Sequence, residues 1–225
     1  TGVQTCALPI CIVWYLNRRF PQLRNPKGVK VIARLKINLV SKQTFFEIGK
    51  KIGLWEFIRA DIPTRETKMK PSIEDVFEAF IGVTQTLLDN LKFGLGNMIC
   101  YKIVESLFND IDISLKYTDL YDPITRLKET VDCFRQNIGS IEYVDNKDDE
   151  RRLVTSVVYR VRYHSPHKCF NCGQSSRDVI SREKIGTGIA ALKKDARQKA
   201  SEVAISTLFK MGFNKEIDPY YSEIV

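Results

Sequence analysis

Hydrophobic positions follow two different periods along the chain, and the change of period divides it in two. Between residues 11 and 115, apolar residues recur at spacings of three and four, as in VIARLKINLV, TFFEIGKKIGL and NMICYKIVESLF. This spacing is typical of amphipathic helices. Because no alternating pattern interrupts it, the sequence predicts an all-α domain over residues 11–115.

A charged segment, RADIPTRETKMKP, interrupts these helices and contains Pro63 and Pro71, which favours a loop. The next helix is expected to begin near Ser72, whose hydroxyl can cap it. Its apolar stripe would comprise Ile73, Val76, Phe77, Phe80 and Ile81.

The second region starts after a linker at about residues 116–121. DPITRLKETVDCF predicts a helix with Pro123 in its first turn, where the missing backbone donor costs nothing. TSVVYRVRYH alternates apolar and basic residues like a half-buried strand, and VISREKIG is a further strand. KKDARQKASEVAISTLFKMG predicts a final helix ending at Gly212. We therefore expect an α+β domain (α–β–β–β–α) over residues 122–213, followed by a tail, 214–225.

Two registers fit the strands of this region. In the first, TSVVYRVRYH is the first strand, CFNC is a short middle strand, and extra sequence around DNKDDERR precedes them. In the second, IEYV is the first strand, DNKDDE is a turn, and HSPHKCFNC is a long second loop. The pattern of residues is compatible with both.

Charge is distributed unevenly. The formal net charge is +8, and KKDARQK gathers four cations, Lys193, Lys194, Arg197 and Lys199, while the acidic run DNKDDE lies elsewhere. Concentrated positive charge favours a polyanionic partner.

Other classes of protein are disfavoured by composition. No apolar run approaches the 18 or so residues of a membrane span. Once Cys6 is set aside, the remaining cysteines are odd in number and scattered, at Cys11, Cys100, Cys133, Cys169 and Cys172. This argues against a disulfide framework and for a reducing compartment, so a cytoplasmic location is expected.

Asp75 and Glu78 are three residues apart on the predicted helix, so both carboxylates project from one side. Two acids held in this way can bind a hard cation such as Mg²⁺. An isolated D-x-x-E is more commonly a solvated acidic face, so the surrounding sequence decides its interpretation.

That surrounding sequence, KPSIEDVFEAFIGV, resembles the second acidic motif of the ribonuclease III family. YLNRRFPQL and ARLKINLVSKQTFFEIGKKIGL stand in the family's order, so the resemblance covers residues 13–110. It implies that Asp75 and Glu78 are catalytic ligands of Mg²⁺, with Mn²⁺ as a possible substitute, and that Lys70 matches a basic position of the site. The asparagine usual after LVS is replaced, by Lys42 or Gln43 depending on the register.

The family's first acidic motif, a Glu followed four residues later by an Asp, has no counterpart here. Its usual offset from Phe20 reaches Thr5 and Thr1, within TGVQTCALPI. This segment carries no apolar period, and ordinary codons for it can give a common sequencing-library adapter. We expect residues 1–10 to be an artefact and the helical domain to be incomplete at its N-terminus.

The second region resembles the double-stranded RNA-binding domain that follows the nuclease domain in this family. DPITRLKE matches the helix that reads the RNA minor groove, which implies 2′-hydroxyl contacts by Thr125 and Glu129. KKDAR matches the start of the last helix, which implies phosphate contacts by Lys193, Lys194 and Arg197.

HSPHKCFNC contains both histidines and the only C-x-x-C of the chain. Three interpretations are open: a zinc site of His164, His167, Cys169 and Cys172; a minor-groove contact by His167, at the spacing of the family's loop histidine; and a plain loop.

The resemblance implies a homodimeric, Mg²⁺-dependent endoribonuclease that cleaves double-stranded RNA during RNA processing. The present chain is expected to bind duplex RNA and to cleave it weakly or not at all. The alternative is a non-catalytic duplex-RNA binder, such as an RNA-silencing antagonist or a ribosome-associated relative. A purely structural dimerisation module is the third option, and KKDARQK argues against it.

Overall fold

A computed structural model describes residues 4–163, 167, 168, 175, 176 and 179–225. The chain divides into two compact units. The first comprises residues up to Lys116 together with Tyr220–Val225, and the second comprises Tyr117–Pro219. In the part of the chain that the structure describes, no helix is both long and apolar enough to cross a membrane.

Helices make up the first unit. They are α1 (Gln4–Arg19), α2 (Gly28–Leu39), α3 (Lys42–Lys51), α4 (Ile62–Thr67), α5 (Met69–Leu91) and α6 (Leu95–Phe108), with 3₁₀ turns at Pro21–Leu23 and Leu54–Phe57. The long helix α5 is central and packs against α1, α3 and α6. On its buried face, the Phe77 ring lies 5.4 Å from that of Phe45.

Helix α1 differs from expectation at its beginning. TGVQTCALPI shows no apolar period by itself, yet Gln4 starts a helix in which Ala7 and Leu8 are buried. The period emerges only when these residues are joined to the next turns, because Cys11 and Ile12 continue the same face. Residues 4–10 are thus helical in the structure.

Helix α5 also begins earlier than expected. It starts at Met69 rather than near Ser72, with Pro71 in its first turn, where a proline is tolerated. The preceding segment, expected to be a loop, contains α4. Phe80, expected in the buried stripe, is 47% exposed, because the helices packed on α5 cover the side that carries Ile73 and not the side of Phe80.

The second unit contains a three-stranded antiparallel sheet and its helices. The elements are α7 (Tyr117–Leu120), α8 (Pro123–Cys133), α9 (Arg135–Ile138), β1 (Ser140–Asp148), β2 (Leu153–Tyr163), β3 (His167–Lys168), β4 (Ser175–Ser176), β5 (Val179–Ala190) and α10 (Lys193–Lys210). Residues expected as a linker therefore include a short helix. The last helix of the chain, α11 (Tyr220–Glu223), belongs to the first unit.

Strand pairing decides between the two registers. The sheet order is β1–β2–β5, and Val144 of β1 pairs with Val157 of β2. The register that made TSVVYRVRYH the first strand is wrong, and the register that began with IEYV is the one observed. The reason is that residues 140–148 can pair along their whole length with residues 153–161, which satisfies both backbones. The turn expected at DNKDDE is displaced, because residues 145–148 are paired within β1.

Helices α8 and α10 enclose the core of the second unit against this sheet. The buried residues are contributed by both helices, by residue 138 and by two strands: Leu127, Val131, Ile138, Val158, Ile185, Ala200, Ala204 and Leu208. Alanines on α10 let the helix approach the sheet closely, and this approach fixes the position of its N-terminus.

Two glycines on β5 make that approach possible. A Cβ atom at Gly186 would lie 2.2 Å from the carbonyl oxygen of Ala200, and one at Gly188 would lie 2.3 Å from that of Ala196. Both obstacles are backbone atoms of α10, which cannot rotate away. GTG is therefore required by the packing of α10 on β5.

Gly188→Ala is expected to lower the free energy of unfolding of the second unit by about 1–3 kcal/mol, because α10 must move outwards. Urea unfolding followed by circular dichroism would measure this. Ile189→Ala, at the half-exposed neighbouring position, is the control and should change stability less. Equal stability of Gly188→Ala and the wild type would contradict the packing argument.

Candidate functional site

The two predicted metal ligands lie on the N-terminal half of α5. Asp75 is exposed and Glu78 is half-buried, one helical turn apart, while Phe77 between them points into the core. The core contacts of α5 thus fix the side of the helix from which both residues project. Their side chains can share one cation because residues at i and i+3 are neighbours on a helix.

Lys70 is held close to this helix face by α3. Its ammonium donates a hydrogen bond of 2.5 Å to the Gln43 side-chain oxygen and lies 5.7 Å from the centre of the Phe46 ring. The Gln43 amide in turn donates to Glu47 at 2.6 Å. Of the two residues that could replace the family's asparagine, Gln43 is therefore the one that makes a polar contact with Lys70.

Glu74, which directly precedes Asp75, was not singled out from the sequence. Its side chain is only 6% exposed, and Lys42 Nζ lies 3.8 Å from one carboxylate oxygen. The other oxygen has no hydrogen-bond partner among the described residues. The sequence does contain a signal for Glu74. It lies four residues after Lys70 and four before Glu78, so all three share one ridge of the helix.

The two carboxylates are oxygen ligands of the kind that a hydrated divalent cation takes. Mg²⁺ retains several waters and needs only one or two protein carboxylates, which Asp75 and Glu78 could supply. Among the described residues, no group of three or more His, Cys, Asp or Glu side chains is arranged to hold a metal. Helix α1 contributes none, since its residues 4–19 include no aspartate or glutamate.

A second candidate site lies at the N-terminus of α10. Lys193 and Lys194 occupy its first turn and are exposed, and Leu192 precedes them without a side-chain cap. Among the residues that the structure describes, Lys194 has no ion-pair partner. The free backbone N–H groups and the helix dipole add to this positive potential.

Arg197, one turn further along α10, is engaged within the unit. Its guanidinium donates to both oxygens of Asp145 on β1, with distances of 3.1 Å from Nε and 2.6 Å from Nη2. It also lies 5.0 Å from the centre of the Tyr143 ring. Lys193 Nζ is 2.9 Å from the same carboxylate. Two of the three predicted phosphate ligands thus share one internal anion.

Hydrogen bonds from Arg197 hold the pKa of the Asp145 carboxyl well below its usual range, with Lys193 and Ser156 lowering it further against the opposing effect of burial. Because this pKa is lower in the folded than in the unfolded chain, the carboxylate stabilises the fold above the unfolded value of about 3.9. That stabilisation is lost as the pH falls below it.

Asp145→Asn is therefore expected to be less stable than the wild type near pH 7 and to differ from it progressively less at acidic pH. Urea midpoints of the second unit between pH 7 and pH 2.5 would measure this convergence. A difference that stays constant across the range would show that the ionised carboxylate is not responsible.

The predicted minor-groove residues of α8 also have internal partners. The Thr125 hydroxyl donates to Asp122 at 2.7 Å, as part of the helix cap. Glu129 accepts hydrogen bonds from Tyr117 and Lys215 and forms an ion pair with Lys215. Both remain half-buried, and their predicted contacts with 2′-hydroxyls remain predictions.

His167 lies in β3, after the second strand of the sheet. Its predicted minor-groove contact was inferred from its spacing to GTG, with His167 placed after the first strand. It follows the second strand here, and the contact itself stays a prediction. Of the proposed zinc ligands, His164, Cys169 and Cys172 lie outside the described residues, as does the side chain of His167. The zinc site remains untested.

An apolar stripe is exposed along the outer side of α5. Its members recur at spacings of three and four and are 47–78% exposed: Phe80, Val83, Leu87 and Leu91. Phe93, just beyond the helix, is 97% exposed. Contiguous apolar surface of this kind marks an interaction site more often than a solvent-facing helix side.

Comparison with known proteins identifies relatives of the chain. A protein named "Putative ribonuclease 3" from Invertebrate iridescent virus 6 is 36% identical over 210 residues, covering 88% of this chain and 66% of the relative. One with the same name from Frog virus 3 (isolate Goorha) is 34% identical over 207 residues, covering 91% of this chain and 49% of the relative. The chain therefore spans less than the full length of both.

Two further comparisons add little. No family model matches the chain. The structure of Dicer from Pichia stipitis matches 96% of this chain and 86% of its own at 14% identity, with a TM-score of 0.34, too low to support an argument. The sequence identity to the two viral proteins, extending over about nine-tenths of the chain, shows that it belongs to the ribonuclease III family.

Proposed function

We propose that this chain binds double-stranded RNA through its second unit and that its first unit carries part of a Mg²⁺-dependent site for cleaving that RNA. The observation that carries the proposal is the pair Asp75 and Glu78, accessible on one side of a helix whose opposite side forms the core. The names of the two viral relatives support the same family of activity.

Asp75 and Glu78 would hold the cation, which when bound supplies an activated water and stabilises the leaving 3′-oxygen. The chain's own contribution is orientation and charge. Packing of Phe77 in the core fixes the helix face that bears the two carboxylates, and Gln43 holds Lys70 in place. The Lys70 ammonium can then attract a backbone phosphate towards this face.

RNA affinity would come from the second unit. Exposed Lys193 and Lys194 at the start of α10 can neutralise phosphates, helped by the helix N-terminus. Recognition of this type responds to the shape and charge of A-form RNA more than to its sequence.

A non-catalytic duplex-RNA binder remains the second candidate, and one observation favours it for this chain. Helix α1 includes Thr5, one of the two positions to which the family's first acidic motif was expected to map, and it contains no carboxylate. Asp75 and Glu78 would then provide only half of the ligands that the family uses.

The two candidates separate in one experiment. The present chain, and a longer version extended at its N-terminus to supply the family's first acidic motif, are incubated with long duplex RNA, with and without Mg²⁺, and resolved by gel electrophoresis. We expect both to shift the RNA and the longer protein to cleave it. Intact RNA with the longer protein would favour the non-catalytic binder, and the absence of any shift would overturn the proposal.

We also propose that the first unit forms a homodimer through the α5 stripe. Leu87→Glu is expected to convert the dimer to monomer, because a charge would be buried among apolar side chains. Light scattering after size-exclusion chromatography measures this. Val29→Glu, at an exposed apolar position of α2, is the control and should remain dimeric. A dimer that persists in Leu87→Glu would contradict the placement.

A further inference from the structure

Asp145 is surrounded by donors in a way that a solvated carboxylate is not. Its side chain is 13% exposed and receives Arg197, Lys193 and the Ser156 hydroxyl, the last at 2.9 Å. Ser156 is fully buried and pairs with Asp145 across β1 and β2. Arg197, Lys193 and Ser156 together could bind a phosphate, but the Asp145 carboxylate already accepts their hydrogen bonds.

An RNA phosphate could reach Arg197 in the same manner only by displacing Asp145. The carboxylate is fixed to a paired strand, so displacement would leave a charge largely buried without its partner. The cost of an unpaired buried charge exceeds the gain from one phosphate contact at the surface. Arg197 should therefore stay with Asp145 when RNA binds.

Tyr143 adds a second constraint on the same arginine. Its ring lies beside the guanidinium, and its hydroxyl is 2.7 Å from that of Ser201, which donates to the Arg197 carbonyl. The side chain and the backbone of Arg197 are thus both tied to the interior of the unit.

Lys193 differs from Arg197 because it remains 61% exposed while its ammonium contacts Asp145. Residues 193 and 197 are four apart on one face of α10, where like charges repel. The shared Asp145 carboxylate offsets that repulsion and holds the Lys193 side chain in one place. The exposed ammonium can still donate hydrogen bonds to a ligand in solvent.

Given the duplex-RNA binding proposed above, we propose that Asp145 is a positioning residue of the RNA surface. Asp145 holds Lys193 beside Lys194, and these two lysines contact the RNA phosphates. Arg197 holds Asp145 in position and does not itself contact RNA.

The direction in which Asp145→Asn changes the RNA affinity distinguishes this positioning role from a simple charge effect. Removing a negative charge close to a polyanion should tighten binding if Asp145 acts only by its charge. The positioning role predicts that Asp145→Asn weakens binding, by up to about 8-fold at 0.1 M salt, the value of one phosphate contact. Fluorescence anisotropy with a labelled RNA duplex measures this, below the unfolding temperature of each variant.

A double-mutant cycle tests the route through Asp145. Arg197→Gln should weaken binding to a similar degree, and Asp145→Asn with Arg197→Gln should be no weaker than either alone. Lys194→Gln with Arg197→Gln should instead multiply the two single effects. Arg197→Lys, which keeps the charge but loses the two-pronged contact, should lie between wild type and Arg197→Gln.

Three results would overturn the inference: tighter or unchanged binding by Asp145→Asn, multiplicative effects of Asp145→Asn and Arg197→Gln, or wild-type affinity in both Arg197 variants. These all presuppose that the wild-type chain binds the duplex. If the wild-type chain fails to bind, the proposed function is overturned. If the wild type binds but the variants give one of these three results, only the role of Asp145 is overturned.

Discussion

Glu78→Gln in the chain extended to carry the family's first acidic motif is expected to reduce Mg²⁺-dependent cleavage of duplex RNA by about 10²-fold or more. Stabilisation of developing charge by a metal contributes several kcal/mol, and every 1.4 kcal/mol corresponds to tenfold in rate. Glutamine keeps the size of the half-buried side chain and removes the charge that would hold the cation. Initial rates of cleavage of a labelled duplex at saturating protein measure the effect.

Measuring RNA binding by Glu78→Gln distinguishes loss of a metal ligand from misfolding of the variant. The Glu78→Gln variant should shift duplex RNA in a gel at the same concentration as the wild type, since the second unit is unchanged. Glu56→Gln alters an exposed glutamate of the same unit and should leave cleavage unaffected. Wild-type cleavage by Glu78→Gln would remove Glu78 from the site.

Replacing both Lys193 and Lys194 by glutamine is expected to weaken duplex-RNA binding by about 60-fold at 0.1 M salt. Each phosphate contact changes the slope of log affinity against log salt by about 0.9, so two contacts change it by about 1.8. The two lysines are exposed at the start of α10, and no core contact should be lost with them. Anisotropy titrations between 0.05 and 0.2 M KCl measure the affinity and the slope together.

Position on the helix provides the control for the lysine pair. Lys210 ends the same helix and is also exposed. Lys210→Gln should change the affinity much less, because the carboxyl end of a helix carries no anion-binding N–H groups. If Lys210→Gln weakened binding as strongly as Lys193→Gln, general charge rather than this site would account for the affinity.

Periodicity was sufficient to predict several elements of the fold. The apolar spacing of α2, α3 and α8 identified these helices, because an amphipathic face is encoded within each segment. Asp75 and Glu78 could likewise be placed on one side of α5 by counting residues. The boundaries of α5 and the short helix α4 were not predicted, since local signals compete at helix ends.

Long-range contacts account for what the sequence did not reveal. Glu74 is adjacent to Asp75 and chemically similar, yet α3 covers one and leaves the other in solvent. Arg197 matched a phosphate-binding position, but its partner, Asp145, lies 52 residues earlier in the chain. No local pattern can predict such a pair.

The sequence by itself determined the division into a helical and an α+β region, the Asp75–Glu78 pair, the basic start of α10 and the resemblance to ribonuclease III. These features depend on residues that are neighbours along the chain. Only the tertiary structure decided the strand register, the burial of Glu74, the polar contact between Gln43 and Lys70, and the ion pair between Arg197 and Asp145. Each of these depends on which strands pair and which helices pack together, and that is settled by the free energy of the whole unit.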